Sequence, residues 1–205
     1  MSARPPIVLR DADREDAAAM IHLWRECAET SREEGVDAFS STVLWQEPGV
    51  AEAAAALELN LASPDKRIIV ALVDGEIVGA LACDVSTITP LNLTRVLVVT
   101  DLQVLSAYRR KSIASTLLSA ATNYGEEFNC ELVATLTPAH SREPNRFLTK
   151  LGFSQVSVVR VTQASMLRSK LSTKATHSRD TGKLIAVRRT LRRRQLSSRR
   201  LRNTP

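Results

Sequence analysis

A chain of 205 residues, 44% of them apolar, has room for one α/β domain with an extension and can bury a real core. Aromatics are few (two Trp, two Tyr and four Phe), so that core falls to Leu, Val, Ile and Ala. The net charge of +6 conceals a division: residues 1–165 hold 15 Lys and Arg against 21 Asp and Glu, whereas residues 166–205 hold 13 against one, Asp180. A domain over 1–165 and a basic linker and tail over 166–205, partly helical, are therefore expected.

Several classes are excluded early. No run reaches the ~20 apolar residues of a membrane span, and Met1–Pro6 lacks the apolar core of a signal peptide. Cys27, Cys83 and Cys130 are odd in number and without CxxC spacing, as expected of small buried hydrophobes in a reducing compartment. His22, His140 and His177 form no motif with them, so neither a Cys–His pair nor a zinc site is expected, and no metal is assigned. The expected location is cytoplasmic.

In chain order, Ile7–Arg10 predicts a short strand. Asp11–Ala12–Asp13 supplies N-cap oxygens, and Glu15 and Asp16 put negative charge in a first helical turn. Ala17, Met20, Ile21, Trp24 and Cys27 then recur on one stripe, with His22 off it. A second helix is predicted over Val50–Leu61, ended by Ser63–Pro64–Asp65. Arg67–Val73, Asp74–Gly75 and Glu76–Val85 predict a hairpin with a type I′ turn. A strand at Arg95–Leu105 precedes a helix through Ile113, Leu117, Ala121, Tyr124 and Phe128. Glu131–Leu136 predicts a strand. Ser141–Leu151 predicts a helix with Pro144 in its first turn and Gly152 just past its end. Phe153–Thr162 predicts a last strand. The order β-α-α-β-β-β-α-β-α-β implies an α/β fold with a mixed sheet and helices on its faces.

The chemistry concentrates in Asp101–Leu118, DLQVLSAYRRKSIASTLL. A strand ends, a basic turn follows (Tyr108, Arg109, Arg110, Lys111), and a helix opens with the small residues Ser112, Ala114 and Ser115. Unpaired N–H groups at a helix N-terminus, backed by the dipole, bind phosphate, and the basic side chains add charge beside them. Spacing alone leaves two readings: a phosphate site, or a solvated basic turn.

Two segments in order resemble the GNAT N-acetyltransferase superfamily over about residues 7–165. Arg109–Arg110–Lys111–Ser112–Ile113–Ala114 is similar to the motif A loop, Q/R-x-x-G-x-G/A, and Asp101–Val104 to the strand before it. Phe147–Phe153, FLTKLGF, resembles the family's fYeklGF. The resemblance implies a mostly antiparallel central sheet with helices on both faces, here with a basic C-terminal extension. It also implies acetyl-CoA as acyl donor. In the family the motif A strand and the next one splay apart, and pantetheine lies between them. By that likeness the backbone of Leu102, Gln103 and Val104 pairs with pantetheine. Arg109, Arg110, Lys111, Ser112, Ile113, Ala114 and Ser115 form the pyrophosphate loop. An amine of a small molecule or protein then attacks the thioester directly.

The sequence departs from the pattern at three places. Ser112 stands at the first motif glycine, Leu148 at the frequent general-acid Tyr, and Ser141 at a frequent Asn, with Asn145 nearby. Asp101 is either the base or a structural acid that hydrogen-bonds within the neighbouring backbone, and Ser141, Asn145 or a water are the candidate acids. Tyr108 and Tyr124 are expected to pack. These departures keep open a second reading, a non-catalytic acyl-CoA-binding protein whose basic tail contacts RNA or ribosome. Acceptor choice is expected to lie in Glu29–Pro48 and Ser86–Leu93. The acids of the first segment, Glu33, Glu34 and Asp37 (with Trp45), form either a solvated surface or a lure for cationic amines.

Ser172–Gly182 predicts a polar linker. Lys183–Arg202 follows, with Leu184, Val187 and Leu191 at helical spacing and eight arginines. Residues 183–202 have three candidate partners: nucleic acid or ribosome, an anionic membrane surface, or the chain's own acidic domain.

Overall fold

The structure, a computed structural model, describes residues 6–33, 46–138 and 141–177, with side chains to Leu171. The chain divides into two compact units, Met1–Ser154 and Gln155–Pro205.

The first unit runs β1 (Val8–Asp11), a 3-10 turn (Arg14–Asp16), α1 (Ala17–Glu33), α2 (Val50–Leu61), β2 (Lys66–Val73), β3 (Glu76–Thr87), β4 (Arg95–Val104), a second 3-10 turn (Ser106–Tyr108), α3 (Ile113–Glu127), β5 (Leu132–Thr135) and α4 (Arg142–Lys150). Its five strands lie side by side in chain order. All neighbours are antiparallel except β4 and β5, which are parallel and joined across α3. The β2–β3 turn places Asp74 at φ 53° and Gly75 at φ 84°, as a type I′ turn requires.

The alternation along β2 explains the layers. Ile69, Ala71 and Val73 face one core with Leu81, Leu97, Ile113, Leu117 and Ala121. Ile68 and Val70 face the other, with Ala80, Met20, Leu23 and Leu57. Helices therefore cover both faces: α3 and α4 one, α1 and α2 the other. Each fully buried Leu or Ile in these layers contributes about 1.5–3 kcal/mol. Gly79 lets α3 lie close, since a Cβ there would meet Ile113 Cγ2 at 3.0 Å and the Gln103 carbonyl at 3.1 Å.

The entry to α1 is fixed by Asp13 and Asp16. The Asp13 side chain accepts from the backbone N–H of Glu15 and Asp16, and Asp16 accepts from the Asp13 N–H. Arg10 adds two short bonds to the buried Asp16 carboxylate, at 2.6 and 2.7 Å. This guanidinium holds the Asp16 carboxyl below its ordinary range. At its other end the fold closes α4 with Gly152 at φ 90°. Phe153 N–H donates to Leu148 O, and Gly152 N–H to Thr149 O, the paired bonds of a Schellman stop.

Two expectations need correction. Residues 153–163 carry no strand; Val156, Val158, Val159 and Val161 are exposed. Their alternation suits a strand, but a strand also needs a partner ladder, which periodicity cannot supply. The linker expected from Ser172 begins instead as helix: α5 spans Ala164–His177, in a run free of Gly and Pro. Residues 178–205, with the predicted tail helix at 183–202, lie outside the described residues, as do Glu34, Asp37 and Trp45. Among the described residues no helix is long and apolar enough to cross a membrane.

Candidate functional site

The site begins with an irregularity in β4. Ala82 of β3 pairs with Asp101 and Cys83 pairs with Val99, so Thr100 is an extra residue, a bulge. Its hydroxyl donates to the Ala82 carbonyl at 3.3 Å. The bulge reverses the alternation of the strand: Leu97 and Val99 before it, and Leu102 and Val104 after it, all pack in the α3-side core. Asp101 and Gln103 are thereby turned to the α1 side.

The same residue marks where β4 and β5 part. Their parallel ladder covers Val96–Val99 and Leu132–Thr135, closed by Leu136 N–H to Val99 O at 3.0 Å. From Asp101 to Val104, β4 is laddered to β3 alone among the described residues. Leu102, Gln103 and Val104 thus lie along an edge that β5 leaves unpaired and that leads to the basic loop.

That loop has an uncommon backbone. Arg110 sits at φ 61° and Ser112 at φ 68°, both left-handed. Ser112 is the N-cap of α3, and no side-chain bond caps the helix there. Its carbonyl accepts from Thr116 N–H at 2.9 Å and Thr116 Oγ1 at 3.0 Å. The N–H groups of Ile113, Ala114 and Ser115 precede the first intrahelical donor and point out of the helix end. Ile113 is buried in the sheet-facing core and pins this end, while Ser112 and Ser115 are exposed.

Glu143, in the first turn of α4, ties the loop down. Its carboxylate accepts from Arg110 Nε and Nη2 at 3.1 and 3.0 Å, and Arg109 Nη1 lies 3.6 Å away. Lys111 Nζ stands 4.6 Å over the Tyr108 ring. Sequence reasoning missed Glu143; only the fold brings it to the arginines, 33 residues away in the chain.

Asp101 is the acid beside the unpaired edge. Gln103 Nε2 donates to its Oδ1 at 3.0 Å, and the Trp24 side chain also donates to it. Burial pushes its carboxyl above the ordinary range, and the two hydrogen bonds oppose that shift in part. Trp24, read from its stripe as a core residue, thus also holds a carboxylate.

The other candidates fall elsewhere. Ser141 is buried and forms the N-cap of α4. Asn145 Nδ2 donates to the Pro138 and Ser141 carbonyls at 3.0 and 2.6 Å, stitching the turn before α4. Leu148 is buried in the α3-side core. Tyr124 packs at 4.9 Å from Phe128 and donates to the Pro64 carbonyl at 2.9 Å. Cys27, Cys83 and Cys130 are buried free thiols; burial pushes Cys27 and Cys83 up to about 11. Among the described residues no cluster of His, Cys, Asp and Glu is arranged to hold a metal.

The family model described as Acetyltransferase (GNAT) family matches residues 18–153. A sequence search of curated proteins finds no match. Solved structures are similar in fold at low identity. A transcriptional regulator from Bacillus halodurans is 19% identical, with TM-score 0.63, over 77% of this chain and 99% of that one. Aminoglycoside N-acetyltransferase AAC(6')-Iy, in complex with CoA, is 15% identical, with TM-score 0.62, over 80% and 97%. An aminoglycoside acetyltransferase from an uncultured soil metagenomic sample is 22% identical, with TM-score 0.58, over 78% and 99%. With its bulged β4, unpaired beyond the end of β5, its left-handed loop at the head of α3 and a family match over residues 18–153, this chain belongs to the GNAT acetyltransferase family.

Proposed function

We propose that the protein transfers an acetyl group from acetyl-CoA to an amine by direct attack. The observation that carries this reading is the parting of β4 and β5 at the Thr100 bulge, which leads into the loop at the start of α3. Pantetheine extends along Leu102, Gln103 and Val104 as a further strand. The N–H groups at the head of α3, with Arg109, Arg110 and Lys111 beside them, receive the pyrophosphate. Backbone N–H groups at the head of α3 and the unpaired β4 edge support this reading, and AAC(6')-Iy, whose fold is similar, is described in complex with CoA.

Asp101 acts as general base in this proposal. A carboxyl raised by burial holds a proton more readily at working pH than an ordinary one, which suits the task. The acceptor nitrogen attacks the thioester carbonyl, the carbon–sulfur bond breaks, and the nitrogen's proton passes to Asp101. The leaving thiolate takes a proton from solvent, because Leu148 has none to give and Asn145 is engaged with backbone carbonyls. Positioning of the two reactants supplies most of the acceleration.

Release of free CoA thiol, measured with acetyl-CoA and a broad panel of amines, tests the reading. Amine-dependent release that Asp101→Asn abolishes supports it. CoA binding with no turnover of any amine favours the non-catalytic alternative raised by Ser112 and Leu148. The basic tail is proposed to bind nucleic acid, because residues 166–205 carry 13 basic residues against one acid.

A further inference from the structure

On the α1–α2 face of the sheet, two rungs cross β2, β3 and β4 in succession: Ile68–Ala82–Asp101, then Lys66–Asp84–Val98. Beside them lies a hollow of about 220 Å3, whose lining includes Asn60, Lys66, Arg67, Ala82, Asp84 and Thr100 and stops short of Asp101. The Arg67 guanidinium is already paired with Asp11, at 2.7 Å. Asn60, at the end of α2, accepts from Lys66 Nζ at 2.9 Å and donates to the Ala56 carbonyl at 2.8 Å. The hollow thus presents the Lys66 ammonium, oriented by Asn60, and the Asp84 carboxylate on the facing strand. One rung separates them from the rung of Asp101: two residues along β2 and β3, about 7 Å, and three along β4, which carries the Thr100 bulge.

This pairing of charges selects an acceptor. A polycation would meet the Lys66 ammonium, and a plain alkylamine would leave both charges of the rung unmatched. An amino acid zwitterion matches both. Starting from the acyltransferase reading above, on which this inference rests, we propose that the acceptor is a diamino acid. Its carboxylate is held by the Lys66 ammonium, which Asn60 Oδ1 orients, and its α-ammonium by Asp84. Its side-chain amine, on a stem of about three or four methylenes, spans the rung spacing to Asp101 and the thioester. That nitrogen bonds to the acyl carbon, the thiolate of CoA leaves, and the nitrogen's proton passes to Asp101. The product is an ω-N-acetylated amino acid.

The test uses the full chain. Acetyl-CoA binding is measured first by calorimetry. Thiol release is then followed with lysine, ornithine, cadaverine, which lacks the carboxylate, and an aminoglycoside. The expected result is a kcat/KM for lysine or ornithine at least ~10-fold above that for cadaverine, about 1.4 kcal/mol of discrimination. In Lys66→Met that ratio is expected to collapse through a higher KM for the amino acid, while the KM for cadaverine, relieved of the Lys66 ammonium, stays level or falls. Asp84→Asn is expected to erase the preference for lysine over its Nα-acetyl derivative, and serves should Lys66→Met fail to fold. Acetyl-CoA binding combined with a preference for cadaverine or the aminoglycoside overturns the diamino acid proposal and leaves the acyltransferase reading intact. So does a lysine preference that neither variant alters. Failure to bind acetyl-CoA overturns the acyltransferase reading itself.

Discussion

Ser112 holds φ 68° with a Cβ attached, a conformation that costs a non-glycine residue about 1–2 kcal/mol. A Gly recovers that strain and gives back part of it through the greater freedom of the unfolded chain. Ser112→Gly is therefore expected to stabilise the protein by about 0.5–1 kcal/mol, seen as a rise of a few degrees in Tm, and to tighten acetyl-CoA binding up to ~5-fold. Asp101 gives a second prediction. Its carboxyl is raised by burial, so the folded state holds a proton above the ordinary carboxylate range, where the unfolded chain has lost it. Stability contributed by this group is full at acid pH and falls as pH rises through the folded value. Asp101→Asn is expected to flatten that decline in pH-dependent melting. If Asp101 is the base, the acid limb of the kcat profile also lies above the ordinary carboxylate range, and Asp101→Asn lowers kcat by about 10²–10⁴.

Between elements, the junction of β1 and α1 rests on the buried Asp16, which satisfies Arg10 and the Asp13 N–H together. Asp16→Ala leaves a half-buried guanidinium and an open helix start, and is expected to cost about 2–3 kcal/mol in chemical denaturation. The Asp16 carboxyl is lowered by Arg10, so this stability is present above the ordinary carboxylate range and fades as pH falls through the folded value. Most elements were legible because each carries its own local signature: Asp74–Gly75 for the hairpin, Gly152 for the stop of α4, the stripe for α1. The α3 loop was legible for the same reason, since its basic and small residues are contiguous. The Thr100 bulge was not, because strict alternation would put Asp101 with Leu97 and Val99 in the α3-side core. Trp24 on Asp101 and Glu143 on Arg110 are likewise products of tertiary approach, and no spacing announces them. The unpaired 153–163 stretch shows the converse, alternation without a partner.

Across the whole molecule, charge separates what the chain order joins. Residues 1–165 are acidic in balance and residues 166–205 strongly basic. Deleting residues 178–205 is expected to leave acetyl-CoA affinity unchanged and to abolish salt-sensitive retention on immobilised RNA; retention that survives the deletion would remove the tail from that role. In the first unit, the unpaired β4 edge and the left-handed loop at the head of α3 form one proposed acyl-CoA site. Isothermal titration of the full chain with acetyl-CoA tests it most directly. The account predicts saturable binding at about one ligand per chain, weakened by charge reversal at Lys111 and tightened by Ser112→Gly. The absence of any binding heat up to about millimolar acetyl-CoA would contradict it.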